Sequence, residues 1–157
     1  MLRVAWDITD AVEKLGGLRA KLDDLRPAWD SLLLYLRKAT ERTFATEGGR
    51  LGAKWAPLTQ PYAARKARVF PGRPILQASG AMFRSLVVGT EDSIVDSQPR
   101  EFTFGTKTRY ATFHQDRTPR MAQRKILDVT PEDRRQIKQI VRAHLENQGV
   151  LSGFERA

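Results

Sequence analysis

The apolar positions of the first 47 residues recur at three- and four-residue spacing, which predicts two amphipathic helices. Asp10 suits the N-terminal cap of the first helix, and Pro27 suits the first turn of the second. Gly48-Gly49 is expected to end the second helix. The apolar stripes consist of Ile8, Ala11, Val12, Leu15, Leu18, Leu22 and Leu25 in the first helix, and of Trp29, Leu32, Leu33, Leu36, Ala39 and Phe44 in the second.

Residues 48–75 are rich in glycine, proline and basic side chains, which predicts an extended and irregular arm. Long loops of compact domains are usually functional or disordered. A pure linker would lack large apolar side chains, whereas this segment carries Leu51, Trp55, Leu58, Tyr62, Val69 and Phe70. We therefore expect the arm to pack against its own body or against a neighbouring subunit.

Short runs of β-branched and aromatic residues follow the arm and predict a small antiparallel meander. Turn-forming residues separate these runs. In the last of the three, alternation places Phe102 and Phe104 on one side of the strand. The runs are 86–88, 94–95 and 101–104, with 126–129 as a candidate further strand.

The last predicted element is a helix, since Thr130 suits its cap and Pro131 its first turn. Its buried stripe consists of Ile137, Ile140, Val141 and Leu145, and Gly149 is expected to end it. The order of two helices, an arm, a small sheet and a helix predicts an α+β fold. We expect one domain over 1–157, divided into a helical unit (1–47), an extended basic arm (48–75), an α+β core (76–147) and a tail (148–157).

The composition is that of an ordinary soluble domain, with 157 residues of which 41% are hydrophobic and 29% charged. The longest apolar run is far shorter than the ~20 residues of a membrane span, and MLRVAWDITD lacks the apolar stretch of a secretory signal. The chain has no cysteine, which excludes disulfides, thiolate metal sites and cysteine nucleophiles. This composition suits assembly in the reducing cytoplasm of a bacterium.

The formal net charge of +9 is concentrated in two segments. Residues 50–85 hold seven basic side chains and no acidic one, and residues 107–125 hold six basic side chains and Asp116. Between them, residues 86–106 hold four acidic side chains and Arg100. Basic segments of this kind bind nucleic acid, an acidic protein or an anionic surface, and charge alone does not choose among these partners.

Aromatic residues accompany the basic segments and leave two interpretations open. Such side chains stack on bases in proteins that bind single-stranded nucleic acid. Arginine and aromatic residues are also enriched at protein interfaces, and we favour this second interpretation. The residues concerned are Trp55, Tyr62, Phe70, Tyr110 and Phe113.

No arrangement of residues predicts an active site, a metal site or a cofactor. His114-Gln115-Asp116 has no second histidine or carboxylate at a metal-ligand spacing. Ser79-Gly80 lacks the Gly-x-Ser-x-Gly elbow, and the glycines of 48–54 lack the spacing of a phosphate-binding loop. We therefore expect a protein that is not an enzyme. A nuclease in particular would need an acidic cluster with metal-ligand spacing.

The order of several short motifs resembles that of the phage virion-morphogenesis, or tail-completion, family (Mu-like G protein). The resemblance covers roughly residues 40–145, and the shared order of the motifs carries it. Two departures concern the loop at 116–125, where Asp116-Arg117 replaces a frequent glycine and Lys125 a common proline. The matching motifs are Phe44, Gly52, Lys54-Trp55, Leu58, Lys66, residues 75–86, Phe104-Gly105-Thr106, Tyr110-Ala111, His114-Gln115, Arg124 and Ile126-Leu127.

The resemblance implies a small α+β structural protein at the neck or tail terminus of a tailed-phage virion. Such proteins commonly form symmetric rings, and a hexamer is favoured because tail tubes of this kind are usually sixfold. The implied partners are further copies of the chain, the tail tube protein and a head-completion or adaptor protein of the neck. Weak non-specific contact with phage DNA is compatible with this role. The alternative is a basic nucleic-acid-binding module.

The predicted site residues fall into two groups, and none of them is catalytic. Residues expected to contact a subunit or partner are Trp55, Leu58, Tyr62, Lys66, Arg68, Phe70, Arg73, Arg117, Arg120 and Arg124. Residues expected to build the fold are Ser79, Gly80, Gly105, Tyr110, His114 and Gln115. Ser79-Gly80 is expected to start a short helical turn before a strand at Leu86, and Gly105 to give a tight exit from its strand. Tyr110 and His114 are expected to share one face of a short helix.

Overall fold

The computed structural model describes residues 23–116, 118 and 121–147. Helices and one antiparallel hairpin follow each other along this part of the chain, which confirms the predicted α+β fold. The elements are α1 (Arg26–Ala45), a 3₁₀ helix (Gly49–Leu51), α2 (Gln60–Val69), α3 (Ala81–Val87), β1 (Ser93–Ser97), β2 (Phe102–Thr106), α4 (Tyr110–Gln115) and α5 (Pro131–Asn147). None of these helices is long and apolar enough to cross a membrane. The predicted first helix, Arg117, Arg120 and the tail at 148–157 lie outside the described residues.

Helix α1 is the element against which the others pack. A proline lies in its first turn, as predicted, and the spacing of its apolar residues places them on one inward stripe. Trp29, Leu32, Ala39 and Phe44 of this stripe are buried, and Phe44 is only 1% exposed. The sequence-based prediction of this helix is therefore confirmed.

Two apolar clusters form along α1, one at each half of the helix. The cluster at the C-terminal half, called the first cluster, consists of Phe44, Trp55, Met82, Leu86 and Ile126. The cluster at the N-terminal half, called the second cluster, consists of Ala28, Trp29 and Leu32, against which Ile137, Ile140 and Val141 of α5 pack. The closing helix thus uses the apolar stripe that its sequence predicted.

Strands β1 and β2 form an antiparallel hairpin in which Ser93 pairs with Thr106 and Ser97 with Phe102. Phe102 packs against the second cluster, and Phe104 packs against the first. The two phenylalanines therefore share a face, as the alternation predicted, and the hairpin spans both clusters.

Residues 86–88 do not form the predicted strand, because Leu86 and Val87 lie in α3. Met82, Ser85 and Leu86 are buried at helical spacing, and Met82 and Leu86 belong to the first cluster. The Ser85 hydroxyl lies 2.7 Å from the Thr106 hydroxyl, which ties α3 to the hairpin. Tertiary packing has overridden the β-propensity of the local sequence.

The arm at 48–75 is not irregular throughout, because residues 60–69 form helix α2 with a proline in its first turn. The prediction of an extended conformation is wrong for these ten residues. Gly48, at the start of the arm, has a φ of +87°, and a Cβ there would lie 2.5 Å from Trp55 Cδ1. A residue without a side chain is therefore needed where the arm leaves α1.

Helix α5 begins with a reciprocal cap between Thr130 and Asp133. The Asp133 N–H donates to the Thr130 hydroxyl at 3.2 Å, and the Asp133 carboxylate accepts from the Thr130 N–H at 2.8 Å and from its hydroxyl at 2.7 Å. Tyr35 and Arg50 donate to the same carboxylate, which is 2% exposed. Burial raises the pKa of Asp133, but the hydrogen bonds from Tyr35 and Thr130 and the charge of Arg50 outweigh it, so this pKa is lowered. The carboxylate thus joins α1, the 3₁₀ helix and α5.

Candidate interface groove

The arm is attached to the segment before α5 by two side chains that donate to main-chain oxygens. Trp55 Nε1 donates to the Lys125 carbonyl at 2.7 Å. The buried Arg124 guanidinium donates to the carbonyls of Ala56 at 2.9 Å and Pro57 at 3.0 Å. Residues 55–57 and 124–125 are therefore held side by side, although about 70 residues separate them in the sequence.

Helix α4 is attached to the same segment by the side chain of Gln115. Its Oε1 accepts from the N–H groups of Ile126 at 2.9 Å and Leu127 at 3.1 Å, and its Nε2 donates to the Leu127 carbonyl at 2.6 Å. The candidate strand at 126–129 is wrong, because a side chain and not a neighbouring strand pairs with its backbone. The His114 carbonyl accepts from the Arg124 N–H at 2.8 Å, and this bond also holds α4 against the segment before α5.

Lys66 holds the loop after α2 in place. Its ammonium donates to the carbonyls of Arg73 and of Pro74, the latter at 3.0 Å, and the residue is 8% exposed. A buried ammonium needs such oxygen partners, since its desolvation would otherwise be costly. Lys66 was predicted as an interface residue, and the structure places it within the fold of the arm.

These attachments leave a groove of about 630 Å³ between α2, the segment before α3, α4 and residues 121–124. Most of its described lining is apolar or aromatic. The cations in this lining, Lys66 and Arg124, donate to carbonyls of their own chain. The lining residues are Pro57, Leu58, Thr59, Tyr62, Lys66, Phe70, Leu76, Ala78, Ser79, Tyr110, His114, Met121, Ala122 and Arg124. A groove of this size and polarity suits an apolar side chain or segment of a partner.

Several aromatic and apolar side chains on this side of the molecule are exposed. Tyr62 is 49% exposed and Tyr110 is 40% exposed, and Val69 on α2 is exposed as well. Helix α2 also carries the exposed Arg65 and Arg68. Arg65 lies three residues after Tyr62 and therefore on the same side of the helix. A mixture of exposed apolar side chains and arginine is typical of protein interfaces.

His114 lines the groove without forming a recognisable acid–base site. Its Nδ1 is buried and has no hydrogen-bond partner in the part of the chain that the structure describes. Burial, and to a lesser extent the charge of Arg124, lowers the pKa of His114, so the neutral imidazole is the form that the fold favours. Its ring contacts the Tyr110 ring edge to face, with 6.4 Å between the centroids. Across the described ranges, no group of three or more His, Cys, Asp or Glu residues could hold a metal ion.

The groove brings together residues from both predicted groups. Five predicted interface residues line it, namely Leu58, Tyr62, Lys66, Phe70 and Arg124, as do three predicted fold residues, namely Ser79, Tyr110 and His114. Trp55 is instead buried in the first cluster. Arg68 and Arg73 are exposed and lie outside the lining. Partner contact for these residues stays a prediction.

The remaining fold residues act in ways that are partly different from those predicted. Ser79 and Gly80 precede α3 as expected, and Gly80 has a φ of +73°. Gly105 does not give a tight exit, because it lies within β2 and pairs with Ile94. A Cβ on Gly105 would meet the Ile94 side chain at an ordinary 3.9 Å.

Sequence reasoning missed Leu76 and Met121 in the groove and Asp133 in the core. Leu76 has a φ of +62°, which a leucine rarely adopts and which no local pattern signals. Met121 reaches the groove only because Arg124 holds its segment against the arm. For Asp133 a signal existed, since Thr130-x-x-Asp133 has the spacing of a reciprocal cap.

A comparison with models of protein families matches residues 6–146 to the phage virion morphogenesis family. The match covers most of the chain and includes every described residue of the groove. No curated protein and no solved structure matches the chain significantly.

Proposed function

Because the chain belongs to the phage virion morphogenesis family, we propose that it is a structural virion protein that forms a ring at the end of the tail and joins the tail to the neck. The ring is proposed to be a hexamer, with the tail tube protein on one side and a head-completion protein on the other. Closed rings arise when one surface of a subunit binds a different surface of the next subunit.

The single observation that carries this proposal is the groove with its exposed apolar surroundings. It is built from three segments that partly buried hydrogen bonds hold together, so its shape is present before a partner arrives. Preorganisation of this kind lowers the cost of association. The exposed Tyr62 and Tyr110 beside it are typical of surfaces that become buried in an assembly.

A structural role without catalysis is supported by what the motif residues do. Trp55, Gln115 and Arg124 all bond main-chain groups of their own chain. Among the described residues that line the groove, no carboxylate accompanies His114, so these residues offer no acid–base pair. The residues that define the resemblance therefore serve the fold that presents the groove.

The proposal is tested by Tyr62→Asp, which places a charge in the groove without touching the core. We expect light scattering on a sizing column, together with negative-stain microscopy, to show a ring for the wild type and monomers for this variant. Val88→Asp is the matched control, because Val88, which directly follows α3, is also exposed and does not line the groove. The control should still form rings. A wild type that stays monomeric at every concentration contradicts the ring.

The junction role is tested separately with phage particles that lack this protein. Adding the wild-type protein to such tails and heads should restore joined particles, and adding Tyr62→Asp should not. Joined particles that form equally well without the protein would contradict the role.

A nucleic-acid-binding module is the second candidate, because the exposed Arg65, Arg68 and Arg73 carry no ion pair to any described residue. Arg65 also lies one helical turn after the exposed Tyr62. Phosphate contacts release counterions, so this function predicts strong binding that falls steeply with salt. Fluorescence anisotropy with single-stranded and duplex DNA from 50 to 300 mM salt distinguishes the candidates. Weak binding of the assembled ring is compatible with the structural role, whereas tight binding by a monomer favours the module.

A further inference from the structure

Three acidic side chains at the N-terminal end of α1 have no ion pair among the described residues. They are Asp30 on α1, and Asp96 and Glu101 at the turn of the hairpin, and all three are exposed. We call this surface the acidic end. The arginines beside it are neutralised locally, since Arg26 pairs with Asp24 and Arg100 pairs with Asp23. Counted over the described residues, its surplus charge is therefore negative.

Two hydrogen bonds fix the acidic end at the start of α1. The Leu25 N–H donates to the Pro99 carbonyl at 2.8 Å, and Trp29 Nε1 donates to the Gln98 carbonyl at 2.8 Å. The hairpin turn is thus held against the first turn of the helix. Val95, beside Asp96, is 39% exposed and adds an apolar side chain to this surface.

The opposite charge lies on the arm, which leaves the other end of α1. The exposed Arg65 and Arg68 of α2 have no ion pair among the described residues, and residues 50–85 contain no acidic side chain. Tyr62, before these arginines, and Val69, after them, are exposed as well. We call this surface the basic face. It borders the groove, because Tyr62 belongs to both.

The hairpin turn and the start of the arm lie at opposite ends of α1. This helix has 20 residues and is therefore about 30 Å long. The hairpin turn is bonded at its start, whereas the arm begins beyond its end, where the Gly48 N–H donates to the Thr43 carbonyl at 2.8 Å. Among the described residues, no ion pair links the two surfaces.

We propose that copies of this chain bind head to tail, with the acidic end of one copy against the basic face of the next. This inference rests on the proposed ring and adds the two surfaces that form its contact. Two different surfaces that complement each other generate a ring or a filament when each subunit binds the next one head to tail. Nucleic acid would satisfy only the basic face and would be repelled by the acidic end.

The test reverses the sign of the charges on one surface at a time and then mixes the two variants. One variant carries Arg65→Glu and Arg68→Glu, and the other carries Asp96→Lys and Glu101→Lys. The first variant is negative at both the basic face and the acidic end, and the second is positive at both. Copies of one variant should therefore repel each other, so each variant alone should lose the oligomer at a concentration where the wild type is fully assembled. In an equimolar mixture, every contact again joins opposite charges, so alternating oligomers should form. Light scattering on a sizing column, with mass spectrometry of the composition, measures both results.

The matched control is Arg135→Glu with Lys138→Glu, which changes the net charge as much as the first variant but on the exposed surface of α5. It should assemble like the wild type. Circular dichroism checks that every variant is folded. Wild-type assembly should also weaken from 0.1 to 1 M salt, because screening shortens the reach of charges.

The outcomes separate this inference from the proposed function. If the wild type forms rings and both reversed variants still do so, the head-to-tail contact is wrong and the ring stands. If both variants lose the oligomer but their mixture does not restore it, the pairing of these two surfaces is wrong. A wild type that is monomeric overturns both proposals.

Discussion

Replacing the buried carboxylate of Asp133 should detach α5 from the rest of the fold. The substitution Asp133→Ala removes the acceptor shared by Tyr35, Arg50 and Thr130. Tyr35 stays a donor at all ordinary pH values, because burial and its bond to Asp133 raise the pKa of its hydroxyl. All three donors would then face a small apolar side chain.

The expected loss follows from the burial of these groups. Breaking a buried pair by removing one partner costs about 3–5 kcal/mol, since the other partner keeps its desolvation penalty. Arg50 is 17% exposed and can regain some water, which lowers the cost. Loss of the helix cap adds about 1 kcal/mol. We therefore expect a loss of about 3–4 kcal/mol in the free energy of unfolding, or about 10 °C in Tm for a chain of this length.

Urea unfolding followed by circular dichroism at pH 7 measures this loss. Glu132→Ala is the matched control, because it removes a neighbouring acidic side chain from the same helical turn, where it is exposed. The control should change the free energy by less than about 1 kcal/mol. If Asp133→Ala costs no more than Glu132→Ala, the carboxylate does not hold α5 and the reasoning is refuted.

The pH dependence provides an independent check on the charge of Asp133. The pKa of Asp133 is lower in the folded than in the unfolded chain. The stabilisation that its charge provides is therefore present above the unfolded pKa of about 3.8 and is lost as the pH falls through the folded pKa. The difference between wild type and Asp133→Ala should therefore narrow from pH 5 towards pH 2. A difference that stays constant over this range would indicate that packing, and not charge, is the cause.

Three further predictions concern stability, and each is measured by thermal and urea unfolding. Gly48→Ala should cost about 2–4 kcal/mol, because its positive φ and the Trp55 ring exclude a Cβ, whereas Gly105→Ala should change stability by less than about 1 kcal/mol; equal effects would contradict the argument. Gln115→Ala should cost about 2–3 kcal/mol, because two backbone N–H groups lose their acceptor, and a loss below 1 kcal/mol would show that water replaces it. Because the pKa of His114 is lowered on folding, the contribution of its neutral ring to the free energy of unfolding is complete above about pH 6.5 and is lost as the pH falls. Wild type should therefore lose stability relative to His114→Gln between pH 7 and pH 5, and parallel pH profiles of the two proteins would refute this.

The long helices α1 and α5, the hairpin and the apolar stripe of α1 followed from the local sequence. α1 and α5 have proline in the first turn and apolar residues on one stripe, and both signals act within a few residues. The alternation of Phe102 and Phe104 also follows from the strand geometry alone. These features depend on backbone sterics and amphipathicity, so the sequence by itself determined them.

The errors lie where long-range packing competes with local preference. Val87 and its neighbours prefer strands, but the burial of Met82 and Leu86 against α1 and the bond from Ser85 to Thr106 favour a helix. The sequence did not predict helix α2, because glycine and proline surround it. In the structure, the Lys66 ammonium near its C-terminal end donates to carbonyls of the loop that follows.

The groove is decided by the tertiary structure alone. Its walls come from segments about 70 residues apart, which Trp55 and Arg124 bring together through bonds to main-chain oxygens. Main-chain carbonyls exist at every residue, so the sequence does not say which of them a given side chain will reach. The motif order identified residues that matter, while the fold decided that Trp55, Gln115 and Arg124 hold the groove together and that Tyr62 remains exposed on its edge.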